Sequence, residues 1–352
     1  MKVVALVVNW NSAGQLAGCV AGLDAQDHPD LEVVVVDNAS SDGSDAVLVE
    51  LERRPRNHPL RVLRNATNRG FAGGINDGLA ATDGEAVLFC NVDVDLAPDL
   101  VSRCVAVLVA DQSVGSVQPK LLRTVPAPDG QPVVDTTGHV LTSARLFRNR
   151  GEGERDEGRY EQPGEVFGVS GALALHRRAM LDDVAWQRAD GTREVLTEDL
   201  FAYFDDVELD WRARLLGWRA WYEPSAVGRH ERGGSGVRRT PTVEALNWGN
   251  RLVTIATCDD GRALLRATPL VAATTLLKTV ELAVTVPSAL VPAVRRLTLL
   301  PAAGRRRREL LARARVPPGA VVVRWVEPFR WRPWIATWWQ RATRRSLGVA
   351  RR

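Results

Sequence analysis

The chain has 352 residues, of which 45% are hydrophobic and 25% charged, an ordinary globular composition with room for one large domain or two. Its four cysteines (Cys19, Cys90, Cys104 and Cys258) have neither metal-ligand nor disulfide-framework spacing, which argues against a zinc module or a secreted disulfide scaffold and for free thiols in a reducing compartment. The net charge of +4 hides an asymmetry: residues 301–352 hold 14 Arg and two Glu, a net of +12, so residues 1–300 are acidic at −8.

From the N-terminus, the apolar run Val3 to Val8 predicts a first strand, being too short for a signal peptide and lacking a small-residue cleavage site. Ala13 to Leu23 reads as a helix capped by Asn11 or Ser12. Leu31 to Val36 is a second apolar run ending in an acid, Asp37, and Asn38 to Gly43 supply turn and cap chemistry for a helix from about Ser44 to Arg54. Leu60 to Leu63 is a short strand, Asn65 to Gly74 a glycine-rich loop and Ile75 to Ala81 a helix. Ala86 to Cys90 suits a strand buried on both faces. Alternating strands and helices with short loops predict an α/β protein, with a mostly parallel sheet and helices on both faces.

Between about Thr124 and Glu165 the pattern breaks into Pro, Gly and charged residues, which reads as an insertion or mobile loop beside the site. Order returns at Val166 to His176, interrupted by Ser170-Gly171-Ala172. The stretch after Phe201 predicts a short helix with Val207, Trp211 and Leu215 as its buried stripe. Glu208 with Arg212 and Asp210 with Arg214 form i,i+4 pairs on its outer face, and Gly217 is its C′ residue. Arg219 to Tyr222 reads as a strand followed by a turn at Glu223-Pro224. Beyond Asn247 the chain looks helical, and Thr268 to Leu300 is long and apolar but interrupted by Lys278, Glu281 and three prolines.

The central strand ends in Asn91-Val92-Asp93-Val94-Asp95. Ligands of open α/β sheets sit beyond the carboxyl ends of the strands, and after a turn two acids there can hold a divalent cation and, through it, substrate phosphates. Equally, this is a solvated strand end with Asp95 capping a helix that begins near Pro98. Asp37 can accept from a nucleotide base or ribose hydroxyl, or cap a helix, a duty that Ser40, Ser41 or Asp42 can also perform. No phosphate-cradling glycine motif occurs; Gly151-x-Gly153 lacks the third glycine and a preceding strand. A bound diphosphate then needs a carboxylate-held cation, which favours Asp93 and Asp95. Asp205 and Asp206 open their helix where the dipole stabilises negative charge, and a carboxylate there serves either as general base for an alcohol or as an N-cap. His230 stands at the edge of a glycine loop and is either structural or a ligand, whereas His28, His58, His139 and His176 have no comparable company. No Ser/His/Asp or Cys/His nucleophile arrangement stands out.

Taken in order, Val8-Asn9-Trp10-Asn11, Val36-Asp37-Asn38-Ala39-Ser40-Ser41-Asp42-Gly43-Ser44, Asn68-Arg69-Gly70-Phe71-Ala72-Gly73-Gly74-Ile75-Asn76 and Asn91-Val92-Asp93 resemble the family 2 glycosyltransferases. So do Ser170-Gly171-Ala172, Phe204-Asp205-Asp206 with the helix that follows, Gly217-Trp218 and His230. The bacterial rhamnosyltransferase-like subgroup is the nearest, and the resemblance spans about residues 3–255. It implies a GT-A fold (a Rossmann-like nucleotide-binding, mostly parallel sheet with flanking helices) and inverting transfer from a nucleotide-diphospho-sugar, dTDP- or UDP-linked, to a hydroxyl. On the donor side it implies Asn9, Asp37, Asn38, Asn68, Gly70, Asn91 and Asp93, with Asp37 on the base and Asp93 as metal ligand in place of the family's D-x-D. It further implies Ser170 and Gly171 on the acceptor side, Asp206 as base beside Asp205, and His230 as a second ligand of Mg2+ or Mn2+. Asp95 falls outside that alignment.

The expected organisation is a GT-A domain over 1–255, with a donor half to about 123 and an acceptor half from 124, then a helical, Arg/Trp-rich extension over 256–352. A sugar-phosphate nucleotidyltransferase would carry a Gly-rich, Arg-containing loop after the first strand, where this chain has Asn9-Trp10-Asn11-Ser12. A degenerate, non-catalytic nucleotide-binding or scaffold module would have lost Asp93 or Asp206, and both are present. The extension holds five of the 11 tryptophans. With its arginines, this predicts attachment of 268–352 to an anionic membrane face, in keeping with a glycan or lipid-linked acceptor and a place on the cytoplasmic side of the cell membrane. Self-association or a protein partner is the alternative; nucleic acid is disfavoured because no nucleic-acid module accompanies the tail.

Overall fold

The computed structural model describes residues 1–188, 190–231 and 240–343. The glycine loop expected after His230 and the final arginines from Arg344 lie outside the described residues. The chain divides into two compact units. One comprises Met1–Val140, Arg148–Gly236 and Arg313–Val316; the other comprises Leu141–Phe147, Val237–Ala312 and Pro317–Arg352.

The first unit begins with β1 (Val3–Asn9), α1 (Ala13–Asp24), β2 (Leu31–Asp37), α2 (Ser44–Arg53), β3 (Leu60–Arg64), α3 (Gly70–Ala80) and β4 (Ala86–Asn91). It continues through β5 (Val94–Leu96), α4 (Leu100–Ala110), β6 (Val114–Arg123) and β7 (Val134–Thr136). The chain passes into the second unit and back along β8 (His139–Thr142) and β9 (Phe147–Asn149). Then come β10 (Gly164–Val166), β11 (Leu173–Arg177), α5 (Arg178–Val184), the small hairpin β12 (Trp186–Gln187) and β13 (Arg193–Glu194), α6 (Asp205–Leu215) and β14 (Arg219–His230).

A ten-stranded sheet runs in the order β10-β14-β6-β11-β4-β1-β2-β3, with β5 and β7 attached to β14 and β6. The chain winds outward from β1 through parallel β2 and β3, then crosses back to place β4, also parallel, on the other side of β1. That reversal is a topological switch point, where a crevice opens beyond the strand ends. Register aligns those ends: Asn9 lies opposite Asp37, and Val8 opposite Asn91. Residues such as Val3, Ala5 and Val7 bury one face of the sheet against Leu16, Val20 and Leu23 of α1 and Leu100, Cys104 and Leu108 of α4.

The other face receives α3, and here the structure departs from expectation. The helix starts at Gly70 rather than Ile75, so most of the glycine-rich stretch is helical. Close approach explains the composition. A Cβ on Gly74 would stand 2.7 Å from the Val8 side chain, and one on Gly78 would stand 2.9 Å from Leu6. Packing against the sheet outweighs the poor helix propensity of glycine.

Other departures have similar causes. Residues 124–165 are not a structureless insertion, since they form β7 to β10 with a buried run from Val133 to Thr142. Asp95 lies in β5 and caps nothing; α4 begins at Leu100 behind Asp99. Ser12 occupies the N-cap position of α1 without a capping bond from its side chain, and the Ala13 N–H donates instead to Asp42 Oδ2 at 2.9 Å. Strand β14 does not turn at Glu223-Pro224 but runs on to His230, absorbing the proline in a register shift against β6. On α6 the supposed outer face is buried: Glu208 pairs with Arg212 at 2.8 Å inside the core. Arg214 instead bonds Glu165 at 2.6 Å and the Phe167 carbonyl at 2.8 Å, leaving Asp210 to another partner.

The second unit is helical: α7 (Pro241–Cys258), α8 (Gly261–Thr285), α9 (Leu290–Arg295), α10 (Leu300–Arg313), α11 (Pro318–Trp325) and α12 (Trp331–Thr343), with β15 (Val326–Glu327) paired to β8 at Leu141 and Thr142. Thr240 caps α7, which therefore starts before Asn247, accepting from the Val243 N–H at 3.2 Å. The unit is held by buried charge. Arg145 bonds Asp259 through Nε at 2.6 Å and Nη2 at 3.2 Å, and Arg251 donates to the Ala144 and Arg145 carbonyls. Lys278, which interrupts the apolar run in sequence, is paired with Glu281 at 3.0 Å and Glu244 at 3.1 Å.

Candidate functional site

At the carboxyl edge of β1 and β2, Asn9 and Asp37 are buried side by side. Asn9 Nδ2 donates to Asp37 Oδ1 at 2.7 Å, Ser40 Oγ donates to the same oxygen at 2.7 Å, and the Ser40 N–H reaches Oδ2 at 3.2 Å. Asp37 thus fixes the 38–43 loop, while Oδ2 keeps capacity for another donor. Asn38 and Asn68 are spent on the same scaffold. Asn38 Nδ2 donates to the Gly70 carbonyl at 2.8 Å, and Asn68 Oδ1 accepts the Gly70 N–H at 2.8 Å. Gly70 itself has φ +71, and a Cβ there would lie 2.3 Å from the Phe201 carbonyl. This residue ties the carboxyl edge of β1 and β2 to the loop that precedes α6.

Beyond β4, Asn91 donates its N–H to the Ala172 carbonyl at 2.8 Å, and the chain turns into Asp93. The last residue of β14 meets it there, with His230 Nε2 3.3 Å from Asp93 Oδ1. The other ring nitrogen, Nδ1, lies 2.8 Å from Asp135 Oδ2 on β7. Burial opposes a charge on His230, but the bonds to Asp135 and Asp93 outweigh it and carry its pKa to about 9, so a bound cation would take the place of the Nε2 proton. A carboxylate oxygen and an imidazole nitrogen side by side, the imidazole oriented from behind by a buried carboxylate, are a donor set that fits a divalent cation. Among the described residues no three His, Cys, Asp or Glu gather into a closed cage. Asp95 is exposed on β5 opposite Arg229 and takes no part in the pair.

The start of α6 forms the third part. Phe201, Tyr203 and Phe204 all have positive φ, so the chain enters the helix through a strained turn. Asp206 is the only residue of α6 that is not buried. Its neighbour Asp205 points inward with one carboxyl oxygen lacking a hydrogen-bond partner among the described residues. Burial, reinforced by the adjacent Asp206 charge, pushes the Asp205 pKa up to about 8, so it is protonated at neutral pH. Asp206 Oδ2 accepts the Gly171 N–H at 3.0 Å and lies 3.6 Å from His139 Nε2. His139 Nδ1 in turn lies 2.7 Å from Asp210 Oδ2, which also accepts the Val169 N–H at 3.0 Å. One stretch, Gly168 to Gly171, therefore sends successive N–H groups to Asp210, Gln118 and Asp206. Ser170 supplies the N–H for Gln118 and sits within this wall.

Three functional groups escape a reading of the sequence. His139, which has no notable neighbours along the chain, is buried between Asp206 and Asp210. Asp210 is a buried anchor rather than a surface partner of Arg214, and Asp135 stands behind His230. The signal lies in Val133-Val134-Asp135-Thr136-Thr137-Gly138-His139-Val140-Leu141, where two apolar pairs flank an acid and a histidine inside a segment that reads as loop.

A family model described as Glycosyl transferase family 2 matches residues 5–185. An uncharacterized glycosyltransferase of Nostoc sp. is 32% identical over 115 residues, covering 33% of this chain and 35% of that protein. The poly-beta-1,6-N-acetyl-D-glucosamine synthase of Staphylococcus epidermidis is 19% identical over 222 residues, 63% of this chain and 48% of that one. The chain thus spans less than half the length of either relative. Among solved structures, GalNAc-T7 with UDP, GalNAc and Mn2+ superposes with a TM-score of 0.60 at 14% identity, covering 79% of this chain and 51% of its own. The Pyrobaculum calidifontis mannosyltransferase with GDP-Man and Mn2+ gives 0.52 at 21% identity, covering 99% and 88%. The shared architecture is the GT-A fold, here followed by a helical C-terminal region.

Proposed function

The chain belongs to Glycosyl transferase family 2 and is a glycosyltransferase; on that footing we propose that it transfers a sugar, with inversion, from a nucleoside-diphosphate donor to a hydroxyl of a glycan or lipid-linked acceptor, with Asp206 as the base. The observation that carries this reading is the exposure of Asp206 alone on an otherwise buried helix, with its partner Asp205 buried and protonated. Such an arrangement presents one carboxylate to an acceptor and no second, nucleophilic one, as a single displacement requires.

Asp206 takes the proton of the acceptor hydroxyl, the freed oxygen pair bonds the anomeric carbon, and the sugar–phosphate bond breaks with its electrons leaving on the nucleoside diphosphate. Asp37, with Asn9 holding it, receives a donor group of the base at Oδ2. Asn38, Asn68 and Gly70 keep the floor of that edge in shape, and Asn91 ends the central strand beside it. Asp93 and His230 would hold Mg2+ or Mn2+, which supplies Lewis-acid neutralisation of the departing diphosphate; phosphate and water oxygens would complete its shell. The proposed organisation is a donor half over 1–123, to which His230 adds a metal ligand, and an acceptor half over 124–255. The proposed donor is dTDP-rhamnose, from the resemblance to rhamnosyltransferases, with UDP- and GDP-sugars as the alternatives because the similar solved structures hold UDP, GalNAc and GDP-Man.

The proposed place of work is the inner face of the cell membrane, in synthesis of a surface polysaccharide. The helix α8 is 25 residues long with a mean hydropathy of 1.3, long and apolar enough to cross a bilayer, yet only 17% of its apolar window is buried. A core helix would be covered. Leu265, Leu276, Val280 and Val284 are exposed along it, and Trp331, Arg332, Ile335, Ala336 and Trp339 of α12 line a shallow apolar groove. Apolar side chains among arginines suit the headgroup level of an anionic leaflet.

Two measurements test these readings. A thermal-shift panel of dTDP, UDP, GDP and their sugars, with and without Mn2+, is expected to show metal-dependent stabilisation by one nucleotide that Asp93→Ala abolishes. No shift from any nucleotide would refute the donor reading. Co-sedimentation with phosphatidylglycerol vesicles is expected to weaken when Ile335 and Trp339 are both changed to Asp, and unchanged binding would remove α12 from the membrane face.

A further inference from the structure

We infer that His139 is a positioning residue for the transfer: anchored at Nδ1 by Asp210, it holds Oδ2 of Asp206 from Nε2 and so leaves Oδ1 as the oxygen that receives the acceptor proton. This rests on the reading of Asp206 as base. The geometry divides the two carboxylate oxygens between protein and acceptor. Oδ2 is engaged by the Gly171 N–H at 3.0 Å and by His139 at 3.6 Å. Among the described residues, Oδ1 accepts only the N–H of the next residue, Val207, at 2.8 Å and keeps a lone pair. The side chain of Asp206 is 27% exposed, whereas those of His139 and Asp210 are 6% and 4% exposed, so the bridge runs inward from the open carboxylate.

His139 has no freedom to serve elsewhere. Its backbone N–H donates to the Gly168 carbonyl at 2.9 Å, and Asp210 is packed so tightly on Gly168 that a Cβ there would come within 1.9 Å of Oδ2. The acids facing the ring are Asp205, Asp206 and Asp210. Burial works against its charge, but the Asp206 and Asp210 carboxylates outweigh that and raise its pKa. Its contact from Nε2, together with the Gly171 N–H, fixes the plane of the Asp206 carboxylate. Misplacing a general base by about 1 Å costs on the order of 100-fold in rate, which is the scale of effect expected.

The test uses the full-length protein and two isosteres. In His139→Asn the amide occupies the place of Nδ1 and loses the contact with Asp206; in His139→Gln it occupies the place of Nε2 and keeps it. The assay is release of nucleoside diphosphate, with water as acceptor, from whichever UDP-, dTDP- or GDP-sugar the wild type turns over fastest. His139→Asn is expected to lower kcat about 100-fold with KM for the nucleotide sugar within about two-fold, and His139→Gln to recover most of that loss. Asp206→Asn is run beside them. Wild-type turnover by Asp206→Asn sinks the reading of the base itself. An inactive Asp206→Asn together with a fully active His139→Asn sinks this inference alone. Equal losses in the Asn and Gln variants, or a loss of nucleotide-induced thermal shift in step with kcat, also overturn it and leave His139 a structural residue.

Discussion

Two histidines in this protein are each set between two aspartates, and the two bridges work differently. At the metal end, His230 terminates a strand and is held from behind by Asp135, presenting Nε2 next to Asp93. At the base end, His139 is held from behind by Asp210 and presents Nε2 to Asp206. The first bridge ends in a carboxylate and an imidazole side by side, a donor pair for a cation. The second ends in a carboxylate alone, with the imidazole behind it, which suits the proposed role of base for an acceptor hydroxyl. On the proposed reading, the same Asp-His-Asp order gives a ligand site or a base according to which group stands outermost.

The strongest way to break the comparison is at Asp206. Asp206→Asn is expected to lower kcat by about 10³-fold while nucleotide-induced stabilisation persists, measured by steady-state nucleotide release and thermal shift. Next comes the wall shared by Val169, Ser170 and Gly171. Gly168→Ala forces a methyl into Asp210 and is expected to cost about 3 kcal/mol in urea unfolding, with the base end failing before Mn2+ binding does. At the metal end, Asp135→Asn removes the carboxylate behind His230 and is expected to weaken Mn2+–nucleotide binding about 10-fold by calorimetry. Unchanged affinity would show that Asp135 does not orient the ligand.

The smallest effect sharpens the difference between the neighbouring acids. Asp205 has its pKa raised from 3.8 to about 8 in the folded state. The folded protein therefore holds a proton that the unfolded chain releases, so its contribution to stability is fully present below pH 3.8 and lost as pH rises through about 8. Unfolding between pH 6 and 9 is expected to show a decline in stability for the wild type that is shallower in Asp205→Asn. An equal decline in both would show that Asp205 is ionised when folded.

What the sequence made legible was the carboxyl edge of β1 and β2. There, a strand written as Leu31 to Val36 and ending in Asp37 declares both its burial and its polar tip, and parallel register places Asn9 beside it without further information. The base end was only half legible. Asp205 and Asp206 are marked by their place at a helix start, but helical periodicity put Asp210 and Arg214 on an outer face, because period alone cannot say that a helix is covered on all sides. His139 and Asp135 were invisible for a different reason: their partners are 71 and 95 residues away, and the short strands that carry them look like loop. The glycines of α3 misled in the same way, since the contact that makes them helical is made by the sheet.

Asp135 and His139 sit four positions apart on one short piece of chain, β7 and the start of β8. That piece acts as a gauge block. It lends one group to each bridge, so on the proposed reading the separation between the metal ligands and the base is governed by five consecutive residues. A single insertion between 135 and 139 would upset donor and acceptor chemistry together.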